Sequence, residues 1–126
     1  MRTIFNVNSD WTFTKEKVED FAKLPEGEKV TLPHSWNAVD GQDGGNDYFR
    51  GTGYYAKTLS RASLPEADKY YLEIEGANSS ADVYLNGKKL AHHDGGYSTW
   101  RVELTNDIAD ENVLLISVDN SATEQG

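Results

Sequence analysis

The stretch Tyr71–Leu104, YLEIEGANSSADVYLNGKKLAHHDGGYSTWRVEL, reads as consecutive strands joined by turns of explicit chemistry. Asn86-Gly87 is a two-residue loop of the type I′ kind, because both central positions need φ > 0 and Asn and Gly accept that conformation most readily. With these two residues as the loop, Leu85 faces Lys88, Tyr84 faces Lys89 and Val83 faces Leu90. This register puts Val83 and Leu90 on one face, and Leu72, Ile74, Val83 and Leu85 all lie at period two. Turn residues and apolar pattern thus specify the same hairpin, and agreement between independent levels is what a structure-specifying sequence shows.

Working outward, further strand signals recur about every 10 to 15 residues, the spacing of an all-β sandwich. Trp11 and Phe13 alternate with Thr12 and Thr14. Val30 and Leu32 alternate before Pro33, which stops that strand or holds it at an edge. Tyr54–Leu59 (YYAKTL) is rich in strand formers, and Trp100, Val102 and Leu104 alternate with Arg101 and Glu103, which predicts a strand with one wet face. Val113–Val118 (VLLISV) is apolar on both faces at all but one position, so it is expected to be a central strand covered on both sides. Val18, Phe21 and Ala22 fall at helical spacing, but the pattern is short and ends at Pro25, which favours a loop over a helix.

Composition bounds the class. A chain of 126 residues is one domain, large enough to bury about two-thirds of its surface without staples. It has no cysteine, so disulfides, thiolate metal sites and a cysteine nucleophile are excluded. A formal net charge of −9 argues against nucleic acid, which needs a basic patch. No apolar run approaches the roughly 20 residues that cross a bilayer, and the segment after Met1 is polar, unlike a signal peptide. A soluble chain is expected, with no compartment assigned.

Catalytic constellations are scarce. His34, His92 and His93 lack metalloprotease spacing, and adjacent His92 and His93 point to opposite faces of a strand, so all three read as structural or surface residues. Asn78, Ser79 and Ser80 make a turn without the glycine frame of a nucleophile elbow. Gly44-Gly45 and Gly51-Thr52-Gly53 lack the Lys and the following helix of a phosphate loop. A glycosidase needs two carboxyl groups about 5 to 10 Å apart; with 21 acidic residues some pair meets that spacing by chance, and the sequence nominates none. No metal and no cofactor is expected. Trp11 and Trp100 sit at alternating apolar positions and read as core, whereas Trp36 suits either packing beneath a loop or stacking on a sugar ring.

Residues 37–53, NAVDGQDGGNDYFRGTG, are rich in glycine and aspartate and have no usable periodicity. They read as a long loop, either a solvated acidic one or one that reaches a polar ligand or a neighbouring domain. Together with this loop, VTLPHSWNAVDGQDGG (30–45), YFRGTGYYAKTL (48–59), the block from Tyr71 to Thr105, and NVLLISVDNS (112–121) resemble the N-terminal domain of glycoside hydrolase family 2 enzymes, the β-galactosidase type in particular. The likeness covers most of the chain. It implies a jelly-roll, galactose-binding-domain-like β-sandwich that precedes an immunoglobulin-like domain and a (β/α)8 barrel. In that family the barrel supplies both catalytic glutamates, and loops of the first domain reach its mouth to hydrogen-bond the sugar. The matching candidates for substrate contact are Asp40, Asp43, Asp47 and Arg50, whose charges suit sugar hydroxyls.

A barrel typically needs about 250 residues, so it lies outside this chain, which is expected to be a non-catalytic piece of a larger enzyme. Its expected partners are the remaining domains and a β-linked sugar held weakly or not at all. Self-association is a further expectation, should the sandwich lack its last strands and leave a sheet edge open. Two other readings stay open: a free-standing carbohydrate-binding module, marked by an aromatic platform on one face, and an assembly domain with no sugar contact.

Overall fold

A computed structural model describes residues 7–31, 52–75, 80–94 and 99–119, with backbone alone at Glu75, Thr99 and Trp100. The strand signals become eight strands: β1 (Trp11–Thr14), β2 (Glu28–Val30), β3 (Thr52–Ser60), β4 (Tyr71–Glu75), β5 (Ser80–Leu85), β6 (Lys88–His93), β7 (Thr99–Glu103) and β8 (Glu111–Asp119). Six form one antiparallel sheet in the order β2-β1-β3-β8-β5-β6, and β4 pairs with β7 in a second. The only helical turn among the described residues is a short 3-10 segment, Arg61–Ser63.

Alternation sends Trp11, Phe13, Tyr55, Val83, Leu85, Leu114 and Ile116 of the large sheet toward Leu72 and Val102 of the small one and Leu104 just beyond β7. A two-stranded ribbon is marginal alone, so burial of these side chains against the large sheet is what secures β4 and β7. Phe13 and Tyr55 pack at a centroid separation of 4.8 Å. The result is an all-β sandwich. β8 lies between β3 and β5, and Leu114 and Leu115 are both 0% exposed although they point to opposite faces. The strand read as covered on both sides is so covered.

The second cover is the segment 15–24, whose Val18 and Phe21 sit with Tyr54, Ala56, Tyr84 and Leu115 on the outer face of the large sheet. Phe21 meets Tyr84 edge-on at 4.5 Å. No helix forms there, as the sequence favours. Asp20 takes the Ala22 amide on its carboxylate at 2.9 Å, and its carbonyl accepts from Lys23 at 3.3 Å. A short acidic side chain that satisfies local backbone competes with a helix, and Pro25 allows no room for recovery.

The β5–β6 hairpin turns at Asn86 and Gly87, with φ of 54° and 90°. Leu85 pairs with Lys88 and Tyr84 with Lys89, as expected. Beyond them the register slips: Val83 faces Ala91, not Leu90. Leu90 is the extra residue of a bulge, and both Leu90 and Ala91 pack on the core beside Val83. A bulge adds local twist at an edge strand and lets two adjacent side chains share one face.

Candidate functional site

Asp40, Asp43, Asp47 and Arg50 lie outside the described residues, as do Trp36 and His34. The described strand ends locate where those segments attach. Thr52 pairs with Asp119 and Asp119 with Ser80, so β3 begins, β8 ends and β5 begins in one cross-strand row. Asp94 follows the end of β6 beside them. Four residues connect Glu75 to Ser80 and four connect Asp94 to Thr99, too few to span more than about 18 Å. Six chain ends, at Thr52, Glu75, Ser80, Asp94, Thr99 and Asp119, are thereby gathered at one end of the sandwich. Loops gathered at one end of a rigid scaffold are the usual place for a binding function.

That end carries a charged cluster on the outer face of the large sheet. The bulge places Asp82 opposite His92, and on its other side Asp82 faces Ser117 of β8. His92 Nδ1 lies 2.5 Å from Asp82 Oδ1, and its Nε2 lies 2.7 Å from Asp94 Oδ1. Lys89 Nζ approaches the same Asp82 oxygen at 3.3 Å, and Ser80 donates to Asp94 at 3.3 Å. A neutral imidazole has one N–H, so two carboxylate partners match the doubly protonated ring. The hydrogen bonds to Asp82 and then Asp94 accordingly raise His92 above its ordinary 6.5. The bond from His92 lowers Asp94 below 3.8.

This arrangement is unsuited to glycoside hydrolysis. A general acid needs a carboxyl group whose pKa is raised, whereas Asp94 is held ionised. His93, on the opposite side of β6, is half-buried across from Ala81. The two histidines do point to opposite faces. Ser80 begins β5 and donates to the Asp94 carboxylate that His92 also binds, so its hydroxyl is part of the same tie. Among the described residues, no group of three or more His, Cys, Asp and Glu side chains could hold a metal ion. The large apolar side chains exposed among the described residues are Leu24 and Tyr71.

Sequence reasoning missed the Asp82–His92–Asp94 cluster because it missed the bulge. With Val83 opposite Leu90, Asp82 faces Ala91 and the carboxylate has no imidazole opposite it. The available signal was two consecutive histidines followed by Asp94 on a strand opposite an aspartate.

The fold and this site define an all-β sandwich domain with several strand ends gathered at one end. Residues 49–126 match the model of the glycosyl hydrolase 2 galactose-binding domain-like family, and the chain belongs to that family. It is 34% identical over 95% of its length to a putative β-glucuronidase of Formosa agariphila, of which it covers 15%. It is 28% identical over 94% of its length to a β-galactosidase of Thermoanaerobacter pseudethanolicus, of which it covers 17%. Among solved structures, a β-glucuronidase 2 of Bacteroides uniformis superposes with a TM-score of 0.76 at 31% identity, over 91% of this chain and 14% of that one. These relatives carry both activities in their names, so the likeness is to family 2 enzymes of glucuronidase and galactosidase type alike.

Proposed function

We propose that this domain works as the non-catalytic N-terminal part of a family 2 glycosidase, buttressing a catalytic barrel and shaping its sugar pocket. The observation that carries the reading is the pair of coverages: nearly all of this chain aligns with about one-seventh of a named glycosidase. The gathered strand ends support it, because they bring the roots of several connections to one end. Within the proposal, the segment holding Asp40, Asp43, Asp47 and Arg50 reaches the barrel mouth, and one of these side chains hydrogen-bonds the sugar. The substrate is a β-linked galactoside or glucuronide. Self-association through an unpaired edge belongs to the same proposal and is measured by sedimentation.

The test is alanine substitution at the four positions in the longer enzyme that carries this domain. Loss of a hydrogen bond to a charged group costs about 1 to 3 kcal/mol. One variant is expected to lose that much in kcat/KM with its melting temperature unchanged. Four variants kinetically equal to the parent would remove the sugar contact and leave the segment as scaffold.

A further inference from the structure

Asn86 is the only asparagine followed by glycine in the chain. Such a pair is chemically labile. The Gly87 nitrogen attacks Asn86 Cγ, a C–N bond forms, the Cγ–Nδ2 bond breaks, and the displaced nitrogen leaves as ammonia with the amide proton. Water then opens the succinimide at either carbonyl and yields aspartate or isoaspartate. Glycine speeds the step because no side chain hinders its nitrogen. Asn86 is exposed, so burial gives it no shelter from water or base.

The fold instead ties the reacting amide by both of its polar atoms. Asn86 Oδ1 accepts from the Val113 amide at 2.9 Å, and Asn86 Nδ2 donates to Asn112 Oδ1 at 3.0 Å. The Asn86 amide also donates to the Val113 carbonyl at 2.9 Å. Asn112 is fixed in turn: its Nδ2 donates to the carbonyls of Leu59 and Ala109 at 3.0 and 2.8 Å, and its Oδ1 accepts from the Ala109 amide at 2.7 Å. It is 3% exposed, and the whole set is anchored on central strand β8. Ring closure requires the Asn86 amide to leave both partners and turn toward Gly87.

We infer that Asn86 is a latent deamidation site that the Asn112–Val113 clamp holds unreactive in the folded protein. Either product damages the turn. An aspartate sets a carboxylate against Asn112 Oδ1 with no proton between them, and isoaspartate adds a backbone carbon to the two-residue loop that sets the hairpin register.

The experiment follows Asn86 conversion by peptide mass spectrometry during incubation of the full chain in mildly alkaline buffer, beside a synthetic peptide of residues 81–91. Protection through local structure slows such reactions by the opening equilibrium, and here the folded chain is expected to react at least about tenfold more slowly than the peptide. A folded chain that converts as fast as the peptide would overturn the inference. The variant Asn112→Ser, its fold checked by a cooperative melt, is expected to convert faster than the parent. A folded Asn112→Ser that converts no faster would equally overturn the role given to the clamp. Should that variant fail to fold, the comparison of parent chain and peptide still decides.

Discussion

At the scale of single residues, two asparagines and two glycines carry more than their size. Gly87 sits at φ 90°, and a Cβ built on it would press on the Ala22 Cβ at 3.2 Å. Gly87→Val is therefore expected to cost about 1 to 3 kcal/mol in a denaturant titration, since a β-branched residue at positive φ is strained before any contact is counted. Unchanged stability would mean the turn is not the one described. Gly27 answers to contact instead: a Cβ there would collide with the Phe13 carbonyl oxygen, and backbone cannot swing aside as a side chain can. The Asn86 and Asn112 roles separate by substitution. Asn86→Gly keeps the turn conformation and loses the side-chain bonds to Val113 and Asn112, a loss of about 1 to 2 kcal/mol. Asn112→Leu strands several buried polar groups and is expected to cost about 2 to 4 kcal/mol, the larger effect of the two. An equal or reversed order would contradict the network. The turn was legible because Asn-Gly has a local preference. The partnership with Asn112 was not, since 26 residues separate the two in sequence.

Among the elements, alternating or continuous apolar residues were enough to place β1, β4, β5, β7 and β8, and a run of strand formers placed β3, although Thr12 and Thr14 of β1 are buried with Trp11 and Phe13. The bulge at Leu90 escaped because a one-residue slip leaves the apolar content of β6 unchanged and is set by twist at an edge. It matters chemically, since it brings His92 onto Asp82 and gives the edge hairpin a pH-dependent tie. His92 is raised above 6.5, so its contribution to stability is fully present below that pH and is lost as pH rises through its folded value. Asp94 is lowered below 3.8, so its contribution is present above that pH and is lost as pH falls through its folded value. The tie is thus strongest between about pH 4 and 6.5. Proton NMR of the His92 ring is expected to titrate above the ordinary histidine value and to fall back toward it in Asp82→Asn. A titration identical in the variant would contradict the pairing. The segment 15–24 shows the opposite lesson: its helical spacing is real, but the Asp20 side chain and Pro25 prevail over it, and the same apolar residues cover the sheet as a turn.

On the scale of the whole molecule, both edges of the six-stranded sheet are blunted. β2 is three residues long with Glu28 and Lys29 exposed, and β6 is bulged and carries Lys88 and Lys89. Charge, brevity and bulges all discourage strand addition, so any self-association is expected through the β4–β7 ribbon and not through these edges. Fold class was readable because periodicity reports burial directly. The sugar contacts were readable only through family likeness: Asp40, Asp43, Asp47 and Arg50 lie in a stretch without periodicity, and charge alone does not say what a loop reaches. The central proposal is that this member of a glycosidase family leaves catalysis to the barrel that it buttresses, and it is carried by the alignment of nearly all of this chain with about one-seventh of its relatives. Its most direct test is hydrolysis of nitrophenyl β-galactoside and nitrophenyl β-glucuronide by the purified 126-residue chain across the pH range. The account predicts no release of nitrophenol above buffer at any pH. Turnover that co-elutes with the protein through successive columns would contradict it.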